Sequence, residues 1–123
     1  MKTILFSILI LFSINGFAYN WKKVGNNTNG DFFYVDVDSI KKHNGFVYYW
    51  QLDDWLELNG SAYSTINKYK ADCEEEKQTF LSYTDYSLSM GRGKIIHEGA
   101  PIKIQYPKPK SVELAVMKFA CDY

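Results

Sequence analysis

The chain has 123 residues, with 14 basic and 14 acidic side chains, so its formal net charge is zero when both histidines are neutral. A protein surface that follows the phosphates of nucleic acid needs an excess of Lys and Arg, so this balance argues against a nucleic-acid-binding protein. A chain of this length forms one domain with a core of modest size.

Residues 1–18 have the pattern of a secretory signal peptide. Lys2 precedes an apolar run over residues 4–14, which is short for a permanent membrane-spanning helix. Gly16 and Ala18 are the small residues expected just before a cleavage site. An uncleaved membrane anchor is the alternative interpretation of the same run.

Cleavage after Ala18 leaves residues 19–123 as a single domain. No cysteine stands at the exit of the signal, so the sequence offers no lipid attachment point there. We therefore expect an exported protein, located in the periplasm, at the cell surface or in the medium. The mature chain is expected to have neither a lipid anchor nor an integral membrane span.

The first predicted strands flank an Asn-Gly pair. Residues 31–40 alternate between apolar and polar side chains, as in a strand with one face in a core. Asn44-Gly45 then predicts a tight turn. The next run, residues 46–52, also alternates: one face has Phe46, Tyr48, Trp50 and Leu52, and the other has Val47, Tyr49 and Gln51. The two runs are expected to pair as antiparallel strands.

Further strands follow a second Asn-Gly pair at residues 59–60. Residues 61–73 and 77–88 are rich in Tyr and Thr and are separated by a short acidic stretch, which predicts two more antiparallel strands. Residues 94–98 predict one further short strand. Whether residues 102–106 add another strand stays open at this point.

The end of the chain changes from strand to helix periodicity. Ser111 is a suitable N-cap residue, and the residues after it predict an amphipathic helix. The apolar residues that recur at helical spacing are Val112, Ala115, Val116 and Phe119.

The two cysteines, Cys73 and Cys121, lie far apart in the sequence. Cys73 is surrounded by charged residues, and its acidic neighbours disfavour a thiolate nucleophile. Exported proteins reach compartments where two cysteines pair, so we predict a structural disulfide between Cys73 and Cys121. Together these elements predict an α+β domain, in which a single antiparallel sheet of about five or six strands is stapled by this disulfide to a C-terminal helix packed on it.

No motif for catalysis, a metal or a cofactor is found. Residues 91–94 ("GRGK") lack the spacing of a phosphate-binding loop. Asp53 and Asp54 are adjacent on a predicted strand, so they point to opposite faces and cannot flank one bond. His43 and His97 have no second ligand at metal spacing. We therefore predict that the protein is not an enzyme and needs no cofactor.

One helix can cover only one face of the sheet, so aromatic side chains must remain on the other. The alternation assigns Tyr34 to that face, together with either Tyr49 or the pair Tyr48 and Trp50. Tyrosines on a rigid sheet are good contact residues, because they bury area at low entropic cost. We predict a binding surface that includes Tyr34 and Tyr49. Ordinary surface tyrosines and self-association as a homodimer are the alternatives.

A basic loop near the end of the chain contains Lys103, Lys108 and Lys110. Such a loop is usually only solvated, but an exported protein also meets sulfated or anionic polymers. We therefore include Lys108 and Lys110 among the candidate binding residues.

Several segments occur in a characteristic order along the chain: Trp21, "YVDVDSI" (34–40), "GFVYYWQLDD" (45–54), "KYKADC" (68–73), "MGRG" (90–93) and Cys121. This ordered set resembles the surface-adhesin protein E family of Gram-negative bacteria. The resemblance implies a curved sheet, like half of a barrel, with a C-terminal helix and a disulfide that joins the two.

The same resemblance implies a binding function. The founding adhesin of the family is a lipid-anchored outer-membrane protein that binds host extracellular-matrix and serum proteins. We therefore expect an exported, non-enzymatic binding protein whose partners are extracellular or host matrix proteins or envelope components. The alternative is a soluble periplasmic domain that binds a small ligand.

Overall fold

The computed structural model of the protein describes residues 18–123. The predicted signal peptide therefore lies, except for Ala18, outside the described residues. The described part contains eight strands and one α-helix: β1 Trp21–Asn26, β2 Phe32–Asp36, β3 Lys41–His43, β4 Phe46–Asn59, β5 Ala62–Asp72, β6 Lys77–Leu88, β7 Arg92–Gly99, β8 Lys103–Gln105 and α1 Val112–Asp122.

All eight strands belong to one antiparallel sheet, whose main order is β1-β2-β4-β5-β6-β7. The short strand β3 pairs with the start of β4, and β8 pairs with the start of β6. Within residues 18–123, the edge strands β1 and β7 do not pair with each other, so the sheet is open. The predicted α+β class is confirmed, but the predicted number of strands was too low.

The Asn44-Gly45 turn lies where the sequence predicts it. Both residues have positive φ, 52° and 81°, which is the backbone that a two-residue hairpin turn requires. The turn joins β4 to the short strand β3, while β2 pairs further along β4, for example Val35 with Gln51.

The helix α1 begins as predicted. The Oγ atom of Ser111 accepts a hydrogen bond from the backbone N–H of Leu114, at 3.2 Å, which satisfies one free donor of the first turn. The buried residues of the helix are Leu114, Val116, Met117 and Ala120. The predicted apolar face is therefore wrong in part, since Ala115 is exposed, while Val112 and Phe119 contact only the margin of the core.

The helix packs on one face of the sheet, which we call the covered face. The sheet residues buried there are Phe33, Val35, Val47, Tyr49, Tyr69 and Ala71. The disulfide between Cys73 and Cys121 has a Cα–Cα distance of 6.1 Å and joins the turn after β5 to the last turn of α1. The predicted disulfide is confirmed, and it holds the helix to the sheet at its C-terminal end.

The opposite face, which we call the open face, is covered at only one end. There the turn Ser89–Gly91 folds back over Leu52 and Ile66, which are 0% and 2% exposed. Gly91 has a φ of 68°, in the left-handed region that favours glycine, and a Cβ atom at this position would lie 2.8 Å from Cδ1 of Ile66. The Oγ atom of Ser64 holds the turn by donating to the carbonyl of Leu88 and accepting from the N–H of Gly91.

Candidate binding face

The open face carries aromatic and lysine side chains on neighbouring strands. The register places Trp50 of β4 opposite Lys68 of β5, and Tyr48 opposite Lys70. Antiparallel partners lie on the same face of a sheet, so these four side chains form two adjacent rows. All four are half-buried.

The lysine heads lie against aromatic rings. The Nζ atom of Lys70 is 4.1 Å from the ring centroid of Phe46 and 6.0 Å from that of Tyr48. The Nζ atom of Lys68 is 5.2 Å from the ring of Trp50. At such distances the negative face of a ring attracts an ammonium group, by about 0.5–1 kcal/mol at an exposed site.

A cavity of about 410 Å³ opens beside these rows. Its lining includes Lys41 of β3, which pairs with Tyr48, together with Trp50 and Lys68. We call the six residues Lys41, Phe46, Tyr48, Trp50, Lys68 and Lys70 the lysine–aromatic patch.

Tyr34, a predicted binding residue, lies on the open face. It pairs with Leu52 and is half-buried. Partial burial raises the pKa of its phenol, and the negative charge of Asp54 adds to this rise. Its side chain is placed as predicted, while its role in binding stays a prediction.

The predicted place of Tyr49 on the exposed surface is wrong. Its side chain is 0% exposed and faces α1, and its hydroxyl donates to Oε1 of Gln78 at 2.8 Å. Burial raises the pKa of the phenol well above its usual value, and nearby Tyr69 and Asp53 raise it further. The alternative assignment, with Tyr48 and Trp50 on the open face, is the correct one.

The structure does not bring Lys108 and Lys110 together with Tyr34. Lys108 lines a separate cavity of about 310 Å³, beside Ser111 and Glu113 at the start of α1. Both lysines are exposed on the connection from β8 to the helix. A binding role for them remains a prediction about a different part of the surface.

Sequence reasoning placed Phe46 on the same face as Tyr48 and Trp50, but it did not propose Phe46, Lys68 or Lys70 as binding residues. The two lysines stand at alternate positions in "NKYKAD", so they share one face of a strand. The missing information was the pairing register, which places that face beside Tyr48 and Trp50.

Asp53 and Asp54 point to opposite faces, as predicted. Asp53 lies on the covered face, where its carboxylate accepts hydrogen bonds from Gln51 (2.7 Å) and Asn67 (2.8 Å). Burial raises its pKa from 3.8 to about 7, although these two hydrogen bonds lower it. Asp54 accepts a hydrogen bond from the N–H of Met90, which helps to hold the turn over Leu52.

The described residues provide few side-chain groups that could bind a metal or take part in catalysis. Between residues 18 and 123, no group of three or more His, Cys, Asp or Glu side chains could hold a metal ion. The Nδ1 atom of His97 lies 3.7 Å from a carboxylate oxygen of Asp85 at the exposed edge of the sheet. Over the same residues, no helix is long and apolar enough to cross a membrane.

These features define a small, disulfide-bonded α+β module, with one face closed by a helix and the other presenting aromatic and lysine side chains. The family model described as surface-adhesin protein E matches residues 21–122, and the chain belongs to that family. A comparison with curated proteins finds no match.

Solved structures of Haemophilus influenzae protein E are similar to this chain. Crystal form II has a TM-score of 0.62 at 18% identity, covering 86% of this chain and 90% of that one. A second structure of the same protein has a TM-score of 0.60 at 18% identity, with 86% of each chain covered. At this identity the likeness shows that the fold is shared.

Proposed function

We propose that the protein is an exported, non-enzymatic adhesin that binds extracellular proteins, host matrix proteins among them, through the open face of its sheet. The observation that carries this proposal is the match of a surface-adhesin family to residues 21–122. Membership in that family implies export or a location at the cell surface. It does not favour the alternative of a periplasmic domain that binds a small ligand.

The structure supports the open face as the contact surface, because the other face is closed by α1 and the disulfide. Tyr34, Tyr48 and Trp50 are half-buried there, so each ring is held in place and still reaches solvent. Rigid aromatic side chains with a polar tip dominate the energetics of many protein interfaces, because little entropy is lost when they bind.

Binding to matrix glycoproteins that have been enzymatically stripped of glycosaminoglycans would test the proposal. We expect Tyr34→Ser combined with Trp50→Ser to weaken capture by roughly tenfold or more, which corresponds to the loss of about 1.4 kcal/mol or more. The matched control is Tyr106→Ser with Tyr123→Ser, since both tyrosines are exposed near the helix. Tyr106 lies beside Glu113 at its start, and Tyr123 contacts Phe119 at its end. Failure of the unmodified protein to bind any stripped matrix protein, or equal losses in both variants, would refute the proposal.

Export without lipidation is a separate part of the proposal. The purified exported protein is expected to begin at Tyr19 and to carry no acyl chain, because the predicted signal ends at Ala18 and has no cysteine at its exit. Intact-mass analysis measures this directly. Retention of Met1 or an added lipid mass would contradict it.

The exposed aromatic side chains also suit self-association, and a homodimer stays a prediction. Light scattering of the purified protein over a range of concentrations would measure its mass. If it is dimeric through the open face, the Tyr34→Ser and Trp50→Ser variant is expected to be monomeric.

A further inference from the structure

The lysines of the lysine–aromatic patch have no carboxylate partner. Among residues 18–123 the side-chain ion pairs are His97 with Asp85 and Lys118 with Glu76, both outside the patch. Asp72 lies two residues after Lys70 on the same strand, but its carboxylate accepts a hydrogen bond from the N–H of Glu75 in the turn. Among the described residues, Lys41, Lys68 and Lys70 therefore form no ion pair with a carboxylate.

The rings hold the charges in place. Because the ammonium groups of Lys68 and Lys70 lie over Trp50 and Phe46, the lysine side chains have fewer rotamers to lose when they bind an anion. Binding by ordered side chains costs less conformational entropy than binding by free surface lysines.

The charges are spread over the sheet rather than gathered at one point. Lys41, Tyr48 and Lys70 form a row across three strands, so the two lysine positions are about 10 Å apart at a strand spacing of about 4.8 Å. Lys68 lies two residues from Lys70 on β5, which adds about 7 Å along the strand. This spacing suits a ligand with repeated negative charges better than a single anion.

The contacts between lysines and rings favour a flexible acidic chain over single-stranded nucleic acid as the ligand. Single-stranded nucleic acid binds by stacking its bases on free aromatic faces, but a lysine ammonium group already lies over one face of Phe46 and of Trp50. The overall charge of zero gives the protein no wider basic surface to follow a phosphate backbone. A flexible chain with spaced carboxylate or sulfate groups needs only the lysine heads.

We infer that the lysine–aromatic patch binds an acidic polysaccharide, whose carboxylate or sulfate groups contact Lys41, Lys68 and Lys70. This inference rests on the proposed function, because it names a ligand class for the same open face. A surface protein that contacts matrix glycoproteins meets such glycans attached to or beside them, so one face engages both the glycan and the protein.

The test uses purified exported protein and immobilised probes: heparin as a sulfated polysaccharide, polygalacturonate as a carboxylated one, neutral dextran, and oligothymidine. We expect binding to one or both acidic polysaccharides and none to dextran. Replacing Lys41, Lys68 and Lys70 together by Gln is expected to weaken binding by roughly tenfold or more. The control triple variant has Lys22, Lys94 and Lys118 replaced by Gln, which are exposed on β1, β7 and α1, away from the patch. It loses the same charge and is expected to stay within about twofold, because salt screens distant charges.

Three results would overturn the inference: binding to neither acidic polysaccharide, equal losses in the two triple variants, or stronger binding to oligothymidine than to either glycan. Matched thermal unfolding of the variants checks that the fold is retained. The stripped matrix glycoproteins separate the two proposals. Binding to these proteins without binding to acidic glycans refutes only the glycan inference, whereas the reverse result refutes only the protein-binding function.

Discussion

The two faces of the sheet use neighbouring residues of one strand for opposite purposes. Tyr49 is fully buried under α1, whereas Tyr48 and Trp50, on either side of it, are half-buried on the open face. The buried tyrosine requires a hydrogen-bond partner, Gln78, because an unpaired hydroxyl in a core is unfavourable. The exposed tip of Tyr48 can use water. The same residue type therefore contributes stability on one face and is free for contact on the other.

Truncating one tyrosine from each face gives the largest expected difference. Tyr49→Ala should lower the free energy of unfolding by about 3–5 kcal/mol, because it leaves a cavity under the helix and removes the partner of Gln78. Tyr48→Ala should cost about 1 kcal/mol or less, mainly through a weak contact with Lys70. Chemical denaturation of both variants measures this, and equal losses would mean that the faces do not differ as described.

Releasing the helix from the covered face has the next largest expected effect. Cys73→Ser and Cys121→Ser should each lower the free energy of unfolding by about 2–5 kcal/mol, because the closed loop of 48 residues no longer restricts the unfolded chain. The double variant should lose little more than either single variant, since both remove the same bond. Free thiols in the native exported protein, or additive losses, would contradict this prediction.

The buried carboxyl of the covered face predicts a dependence of stability on pH. The pKa of Asp53 is about 7 in the folded protein and 3.8 as a reference for the unfolded chain, so folding favours the protonated form. This preference contributes to the free energy of unfolding in full below pH 3.8, and the contribution is lost as the pH rises to about 7. A pKa shift of this size corresponds to a loss of about 2–4 kcal/mol.

Asp53→Asn should remove this dependence, because an amide cannot ionise and the amides of Gln51 and Asn67 can reorient to pair with it. Denaturation of both proteins at pH 5 and pH 8, roughly either side of the raised pKa, measures the difference. The variant should gain stability relative to the parent at the higher pH. If the stability difference between the variant and the parent is the same at pH 5 and pH 8, Asp53 stays ionised at both pH values.

The elements that depend on local chemistry could be predicted from the sequence alone. Ser111 marked the helix start, Asn44-Gly45 marked a hairpin turn, and two cysteines in an exported chain marked the disulfide. Each depends on a residue type whose backbone or covalent preference is strong.

The face of β4 that meets the helix could not be predicted in the same way. Both alternating sets of this strand are aromatic and apolar, so strand periodicity separates them without saying which one is covered. Only the packing of α1 against Val47 and Tyr49 decides it. The same limit applies to the helix, where Leu114 and Met117 face the core instead of Ala115.

The number of strands was underestimated because three strands have weak patterns. The segment of β1, "WKKVGN", is largely polar, and β3 and β8 have only three residues each. Short strands at a sheet margin are stabilised by backbone hydrogen bonds to a longer neighbouring strand. Such bonds do not require an alternating pattern of apolar side chains, so the sequence does not reveal these strands.

The position of α1 at the end of the chain has a consequence for biogenesis. Synthesis proceeds from the amino end, so every strand of the sheet emerges before the helix that closes it. Until Val112–Asp122 docks and Cys121 is oxidised, the apolar side chains of Val35, Tyr49 and Tyr69 face water. Such intermediates are prone to aggregate. We therefore expect the yield of folded protein to fall when thiol oxidation is delayed, and a chain that stops before the last helix to be a substrate for proteolysis.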